Sequence, residues 1–401
     1  MSLKTLFASR AGRMKASEIR ELLKLLNRPG ILSFAGGIPD PALFPAEAFR
    51  AATARALADD AVGQSLQYST SEGNPRLRAW IAAYMTKIGA PCSEENILIT
   101  SGSQQALDYL GKLFLSPNDT ALVGWPTYLG ALGAFNAYEP HYDRLDPSDN
   151  RSPATLAEAA TAAGGRLKFS YVTPDFSNPT GMTLTKAQRE ALIDQADALD
   201  IAILEDSAYY ALRFDGDDVL PILALEIARK GSIEACRTVY CGSFSKTLAP
   251  GLRVGWVCAA QPVISQLVLI KQAGDLHSAT LNQAVVAEIA ETSLDTHLPK
   301  LRAHYAKRRD TMLDALQRYM PPGVSWTKPE GGMFVWMTLP KGHDGADLLA
   351  TALETQNIAF VPGSAFFPDG SGRNTLRLNF SSPNETQIEE GMRRLGLLLT
   401  A

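Results

Sequence analysis

Between about Pro45 and Ala290, short apolar runs alternate with stretches patterned as helices. The runs are Ile97–Thr100, Ala121–Val123, Phe169–Val172, Ile201–Leu204, Thr238–Cys241 and Val254–Cys258. Their length is that of strands, and their alternation with helices predicts a mostly parallel sheet with helices on both faces. Ahead of this region, residues 17–27 place Ile19, Leu22, Leu23 and Leu26 on one face of a short amphipathic helix. Pro29-Gly30 ends it. An irregular arm, Phe34 to Pro41, follows. Beyond the alternating region, a long helical stretch near 282–320 leads to strands around Met333–Met337, Ile358–Pro362 and Thr375–Phe380. The expected division is an N-terminal helix and arm (1–45), a large α/β domain (46–290) and a smaller α+β domain (291–401). There is no internal repeat and no low-complexity segment.

Composition narrows the partners. The chain has 401 residues, 46% of them hydrophobic, enough for large cores and two or three domains. A net charge of −4 without a long basic run argues against nucleic acid. No apolar run reaches the ~18 residues of a membrane helix. Met1 to Met14 shows no apolar segment of a secretory signal. Cys92, Cys236, Cys241 and Cys258 form no C-x-x-C pair, so reduced thiols and a cytoplasmic location are expected.

Sheets of this kind bind ligands at the carboxyl ends of their strands. Asn178, Asp206 and Lys246 all fall at or just beyond predicted strand ends. Lys246 lies in Ser243-Phe244-Ser245-Lys246, and Arg253 follows seven residues on. A lysine there can form a Schiff base with an aldehyde cofactor, while hydroxyls and a guanidinium hold its phosphate. Gly102-Ser103-Gln104 opens a helix, whose free amides make a second phosphate site. Taken singly, each motif has a plain reading: a surface lysine, an N-capping Asp or Ser, a turn at Asn178-Pro179-Thr180-Gly181. It is their joint order that points to pyridoxal 5′-phosphate (PLP).

In that order the chain resembles the fold-type I PLP-dependent aminotransferases of class I/II. The resemblance is nearest to the 2-aminoadipate and kynurenine/aminoadipate branch. It is carried by Lys15–Pro45, Gln67–Gly73, Thr100–Leu107, Asn178–Gly181, Ser243–Arg253, Gly331–Met337 and Asn374–Phe380. It implies the following roles. Lys246 binds the cofactor and moves the substrate proton, and Asp206 pairs with the pyridine nitrogen. Asn178 and Tyr209 meet the phenolic oxygen, and Tyr128 stacks on the ring. Ser103, Gln104, Ser243, Ser245 and Arg253 line the phosphate. Arg377 takes the substrate α-carboxylate bidentately, and Gly37 belongs to an arm that closes over substrate. Tyr68 reaches the phosphate of a neighbouring subunit, which implies a homodimer with shared sites. Ser17 and Arg20, three apart on one helical face, read an acidic side chain. The family's second acidic residue after Asp206 is Ser207 here. No metal is expected.

The substrates implied are an amino acid (2-aminoadipate-like, glutamate-like, or large neutral or aromatic) and a 2-oxo acid, with 2-oxoglutarate expected as acceptor. A PLP lyase, decarboxylase or racemase would share the cofactor motifs. The effector domain of a PLP-binding transcription regulator would need an N-terminal winged helix, for which about forty residues leave too little room.

Overall fold

The computed structural model describes residues 3–14, 30–148 and 151–400. In chain order the strands are β1 (Leu32–Ser33), β2 (Ile97–Thr100), β3 (Thr120–Val123), β4 (His141–Arg144), β5 (Leu167–Val172), β6 (Ala202–Asp206), β7 (Thr238–Ser243) and β8 (Gly255–Cys258). Then come β9 (Ser325–Trp326), β10 (Phe334–Thr338), β11 (Ile358–Ala359), β12 (Val361–Pro362) and β13 (Thr375–Asn379). Seven strands form one sheet in the order β2-β8-β7-β6-β5-β3-β4. Every pairing from β7 to β4 is parallel, and β8 alone runs antiparallel to both its neighbours. The expected mostly parallel α/β sheet is present.

Both faces of this sheet are apolar, and the period of two sorts them. Leu98, Val239, Cys241 and Val257 pack with the helices Ser103–Phe114 and Gln261–Gly274. Ile97, Ile99, Tyr240, Trp256 and Cys258 face the opposite layer, with the helices Pro75–Lys87 and Thr280–Thr292. Burial on both faces explains why these strands read as unbroken apolar runs.

A second core surrounds a four-stranded antiparallel sheet, β12-β13-β10-β9. The arm enters it: Phe34 and Ala35 are fully buried there, and β1 pairs with β11 in parallel. The Phe34 amide donates to Ala359 O, and its carbonyl accepts from the Asn379 amide. A Cβ on Gly391 would lie 2.3 Å from the Phe34 ring, so only glycine lets the C-terminal helix Glu385–Thr400 close over it.

Asp206 closes β6, where the sequence placed it. Three other sequence expectations shift. The stretch 282–320 is two helices, Thr280–Thr292 and Leu294–Tyr319, parted where Ser293 leaves helical φ/ψ (−137°, −21°). Ile358–Pro362 is two strands in different sheets. β4 carries no apolar run because it is an exposed or half-exposed edge. Residues 17–27 lie outside the described residues. Among those described, no helix is long and apolar enough to cross a membrane, and no cluster could hold a metal ion.

Candidate active site

The carboxyl ends of β5, β6 and β7 converge. Asp206 closes β6 and is buried. Its Oδ2 accepts from the Tyr171 hydroxyl at 2.8 Å, while Oδ1 is buried with no hydrogen-bond partner. Burial pushes its carboxyl up to about 6, against the pull of the Tyr171 hydrogen bond. The turn after β7 presents Lys246, whose Nζ donates to Gly37 O at 2.8 Å and lies 5.8 Å from the Tyr209 ring centroid. Burial, then the charges of Arg377 and Arg253, pull its amine down to about 8; Asp206 opposes them. A neutral amine near physiological pH is what a nucleophilic or proton-moving lysine requires.

Above this floor lies a second wall. Arg377, in the middle of the small sheet, is 1% exposed. As a lone strand arginine it would more often be solvated; here β12 and β10 flank it on both sides. Nη1 donates to Asn178 Oδ1 and Nη2 to Ala35 O, both at 2.7 Å. The guanidinium carbon lies 4.2 Å from the Phe334 ring centroid and 5.0 Å from that of Phe366. Burial draws its pKa down to about 10. Asn178 is itself buried, in the turn after β5, and accepts from Arg377, so one amide joins the two walls. At Gly37 a Cβ would sit 2.8 Å from the Phe334 ring. Glycine therefore lets the arm pass close enough for its carbonyl to reach Lys246.

The third side is a cradle. Gly102 (φ +79°) precedes the helix Ser103–Phe114, and a Cβ there would meet the Arg253 guanidinium at 2.5 Å. Arg253, itself left-handed (φ +53°), donates to Ser101 O at 3.1 Å and Pro250 O at 3.2 Å. A Cβ on Gly255 would crowd the Ser103 amide at 2.8 Å. Ser243 Oγ accepts from the Ser245 amide at 3.1 Å. Gln104 donates to Gly130 O at 2.7 Å, bracing the loop that carries Tyr128. Tyr128 is half-buried, and burial pushes its hydroxyl up to about 12. Tyr68 stands apart, 79% exposed, with its ring edge-on to His277 at 5.7 Å. Ser17 and Arg20 lie outside the described residues.

The description "Aminotransferase class I and II" matches residues 35–395. The chain belongs to this family. It is 43% identical over 395 residues to aromatic-amino-acid aminotransferase 1 of Thermococcus litoralis, covering 97% of this chain and 93% of that one. It is 43% identical over 394 residues to the 2-aminoadipate transaminase of Thermus thermophilus, covering 98% and 96%. The solved structure of LysN, an α-aminoadipate aminotransferase also from Thermus thermophilus and complexed with N-(5′-phosphopyridoxyl)-L-leucine, superposes with a TM-score of 0.88 at 40% identity, over 100% of this chain and 98% of that one.

This aminotransferase is thus a PLP-dependent enzyme of fold type I. The residues present fit the cofactor. The partnerless Asp206 Oδ1 suits a pyridinium N–H, and the Gly102–Arg253 cradle, which a Cβ would fill, suits a phosphate. Sequence reasoning passed over Tyr171, Phe334, Phe366 and the Ala35 carbonyl. Tyr171 was legible only as a core aromatic of β5. Phe334 had a signal: Trp336 stands opposite Arg377, so Phe334 is its diagonal neighbour. That register was not visible before folding.

Proposed function

We propose that this aminotransferase moves an amino group from a 2-aminoadipate-like, glutamate-like or large neutral or aromatic amino acid to a 2-oxo acid, with 2-oxoglutarate as the principal acceptor. The observation that carries the reading is the buried Arg377 fork. It is aimed by Asn178 and Ala35 O and walled by two phenyl rings, facing the wall that holds Lys246. The named substrates of its relatives support the substrate class.

When bound, PLP supplies an aldehyde for the amine and a cationic ring that takes up the electrons of the Cα–H bond. Lys246 would hold it and would carry the Cα proton of the substrate, its lowered pKa keeping a neutral fraction at hand. Asp206 Oδ1 keeps the pyridine nitrogen protonated, with Tyr171 fixing the carboxylate plane. Asn178 and Tyr209 donate to the phenolic oxygen, and the Tyr128 ring covers the cofactor face. Ser103, Ser243, Ser245 and Arg253 hold the phosphate, and Gln104 supports the loop beside it. Arg377 exchanges its protein acceptors for the substrate α-carboxylate, a bidentate match. Gly37 lines the closing arm. Tyr68 completes the phosphate site of a second subunit, and Ser17 and Arg20 read a distal carboxylate.

A half-reaction screen tests this. The yellow cofactor-loaded enzyme is mixed with single amino acids, and conversion to the pyridoxamine phosphate form is followed. Conversion by 2-aminoadipate, glutamate and aromatic amino acids, reversed by 2-oxoglutarate, is expected. Decarboxylated, deaminated or racemised products without that conversion would sink the transaminase reading.

A further inference from the structure

Lys271, in the helix Gln261–Gly274, is completely buried. Its Nζ donates to Gln105 Oε1 at 3.0 Å, to Asp275 Oδ1 and Oδ2 at 2.8 and 3.0 Å, and to Ser278 Oγ at 3.0 Å. Only the lysine end of this pair is buried, Asp275 being exposed, and burying a charge costs desolvation that attraction to a partner often fails to recover. Fold stability is therefore a weak account of this cluster, whereas its connections offer a better one.

Gln105 Oε1 takes a second donor, the Ser101 amide at 2.8 Å, and its Nε2 donates to Asp275 Oδ2 at 2.7 Å. Ser101 is thus held on both sides: the N–H of the Thr100–Ser101 peptide points to Gln105, and the carbonyl of the Ser101–Gly102 peptide receives Arg253 Nη2. The turn that follows Asp275 reaches the other phosphate-side groups. His277 meets the Tyr68 ring, Asn282 Nδ2 donates to Leu252 O at 2.8 Å next to Arg253, and Gln283 Nε2 donates to Ser278 O at 2.9 Å.

We propose that Lys271 is a positioning residue for the phosphate end of the cofactor site. Acting through Gln105, it holds Ser101 and thereby the aim of the Arg253 guanidinium. The proposal rests on the reading that Ser103, Ser243, Ser245 and Arg253 hold the cofactor phosphate. Asp275 balances the buried ammonium: burial raises its carboxyl, but the Lys271 and Gln105 hydrogen bonds outweigh this and hold it below its ordinary range.

The test compares PLP with pyridoxal, which offers Lys246 the same aldehyde and lacks the phosphate. Dissociation constants of the apoenzyme for both are measured by equilibrium dialysis. Lys271→Met should weaken PLP on the order of 10-fold, the size of a lost charge-assisted contact, and pyridoxal by less than about 2-fold. Gln105→Leu, which leaves the Lys271–Asp275 pair in place, should show the same selectivity at least as strongly, because Lys271 acts through it. If Lys271→Met fails to fold, the double variant Lys271→Met/Asp275→Leu removes both charges. It should regain thermal stability without regaining the PLP preference, an outcome a merely structural pair does not give. Arg253→Met is the control. Phosphate selectivity in Arg253→Met, with equal or no loss for both ligands in the Lys271 and Gln105 variants, overturns the positioning role alone. No selectivity in Arg253→Met overturns the phosphate cradle itself.

Discussion

The two walls of the active site differ in how they hold the charge they bury. On the strand-end wall, burial, and for Lys246 then the charges of Arg377 and Arg253, pushes Asp206 and Lys246 toward neutrality, and one Asp206 oxygen has no partner. On the small-sheet wall, burial lowers the Arg377 pKa as well and Nε has no partner, yet its two terminal nitrogens are bonded and aromatic faces lie against it. The first wall is left out of balance until a cofactor supplies a cation for Asp206. The second is held ready by acceptors that a substrate carboxylate can replace. Pre-organisation thus takes two forms within one pocket: an unfilled carboxylate oxygen toward the cofactor, and two aimed guanidinium nitrogens toward the substrate.

Removing the centre of the strand-end wall should have the largest effect. Lys246→Ala should retain PLP through the phosphate cradle, lose the yellow absorbance of the lysine-bound form, and lose transamination by at least the ~10²- to 10⁴-fold of a lost base. Absorbance spectra after dialysis decide it; a variant that keeps the colour assigns the attachment to another lysine.

Asp206→Asn separates stress from catalysis. Turnover should fall by more than ~10-fold, since a single pKa unit is already worth ~1.4 kcal/mol, while cofactor retention changes less. The apoprotein carries a second signature. A carboxyl raised from 3.8 to about 6 binds its proton more tightly when folded. Its stabilising contribution is therefore full below about pH 4 and lost as pH rises through 6. Relative to the Asn variant, wild-type apoprotein should lose stability by about 3 kcal/mol across that window. Urea unfolding of both apoproteins at several pH values measures this, and a flat difference would show that Asp206 is not under stress.

Arg377→Lys probes the small-sheet wall. A point charge replaces a planar fork, so kcat/KM for amino donors should fall roughly 10- to 150-fold, mainly through KM. The cofactor spectrum should stay unchanged. A drop confined to kcat would move Arg377 from substrate binding to the chemistry.

The same contrast explains what could be read before folding. The strand-end wall was legible because its groups follow apolar runs whose pattern marks strand ends: Asn178 after β5, Asp206 on β6, Lys246 after β7. The small-sheet wall was legible only as Arg377. Its partners come from residues 35, 178, 334 and 366, and no local pattern brings these together; strand register and the path of the arm do. Tyr171 was hidden for another reason. Its ring serves the core, and only its hydroxyl, reaching 2.8 Å to Asp206, belongs to the site. The break at Ser293 was missed because both helices carry amphipathic patterning up to it.

The smallest effect expected is at Tyr68, and it concerns whether one chain holds a complete site. Within the chain the ring is 79% exposed and its one aromatic neighbour is His277. Aromatic residues such as tyrosine are enriched where two proteins meet. If the hydroxyl donates to the phosphate of a second subunit, Tyr68→Phe deletes one hydrogen bond and keeps the ring. PLP affinity should then fall by ~0.5–1.5 kcal/mol, somewhat more if the phosphate charge strengthens the bond. The loss should follow the chain that donates the residue rather than the chain that holds Lys246. A mixed dimer of Tyr68→Phe and Lys246→Ala subunits separates these. The Lys246→Ala subunit has a normal Tyr68 to lend and no lysine to use it. The Tyr68→Phe subunit has the lysine and receives that Tyr68. One site of the two should therefore bind and turn over with wild-type affinity. Wild-type activity in a demonstrably monomeric protein, or a mixed dimer whose working site keeps the weakened affinity, would return Tyr68 to its own chain's surface.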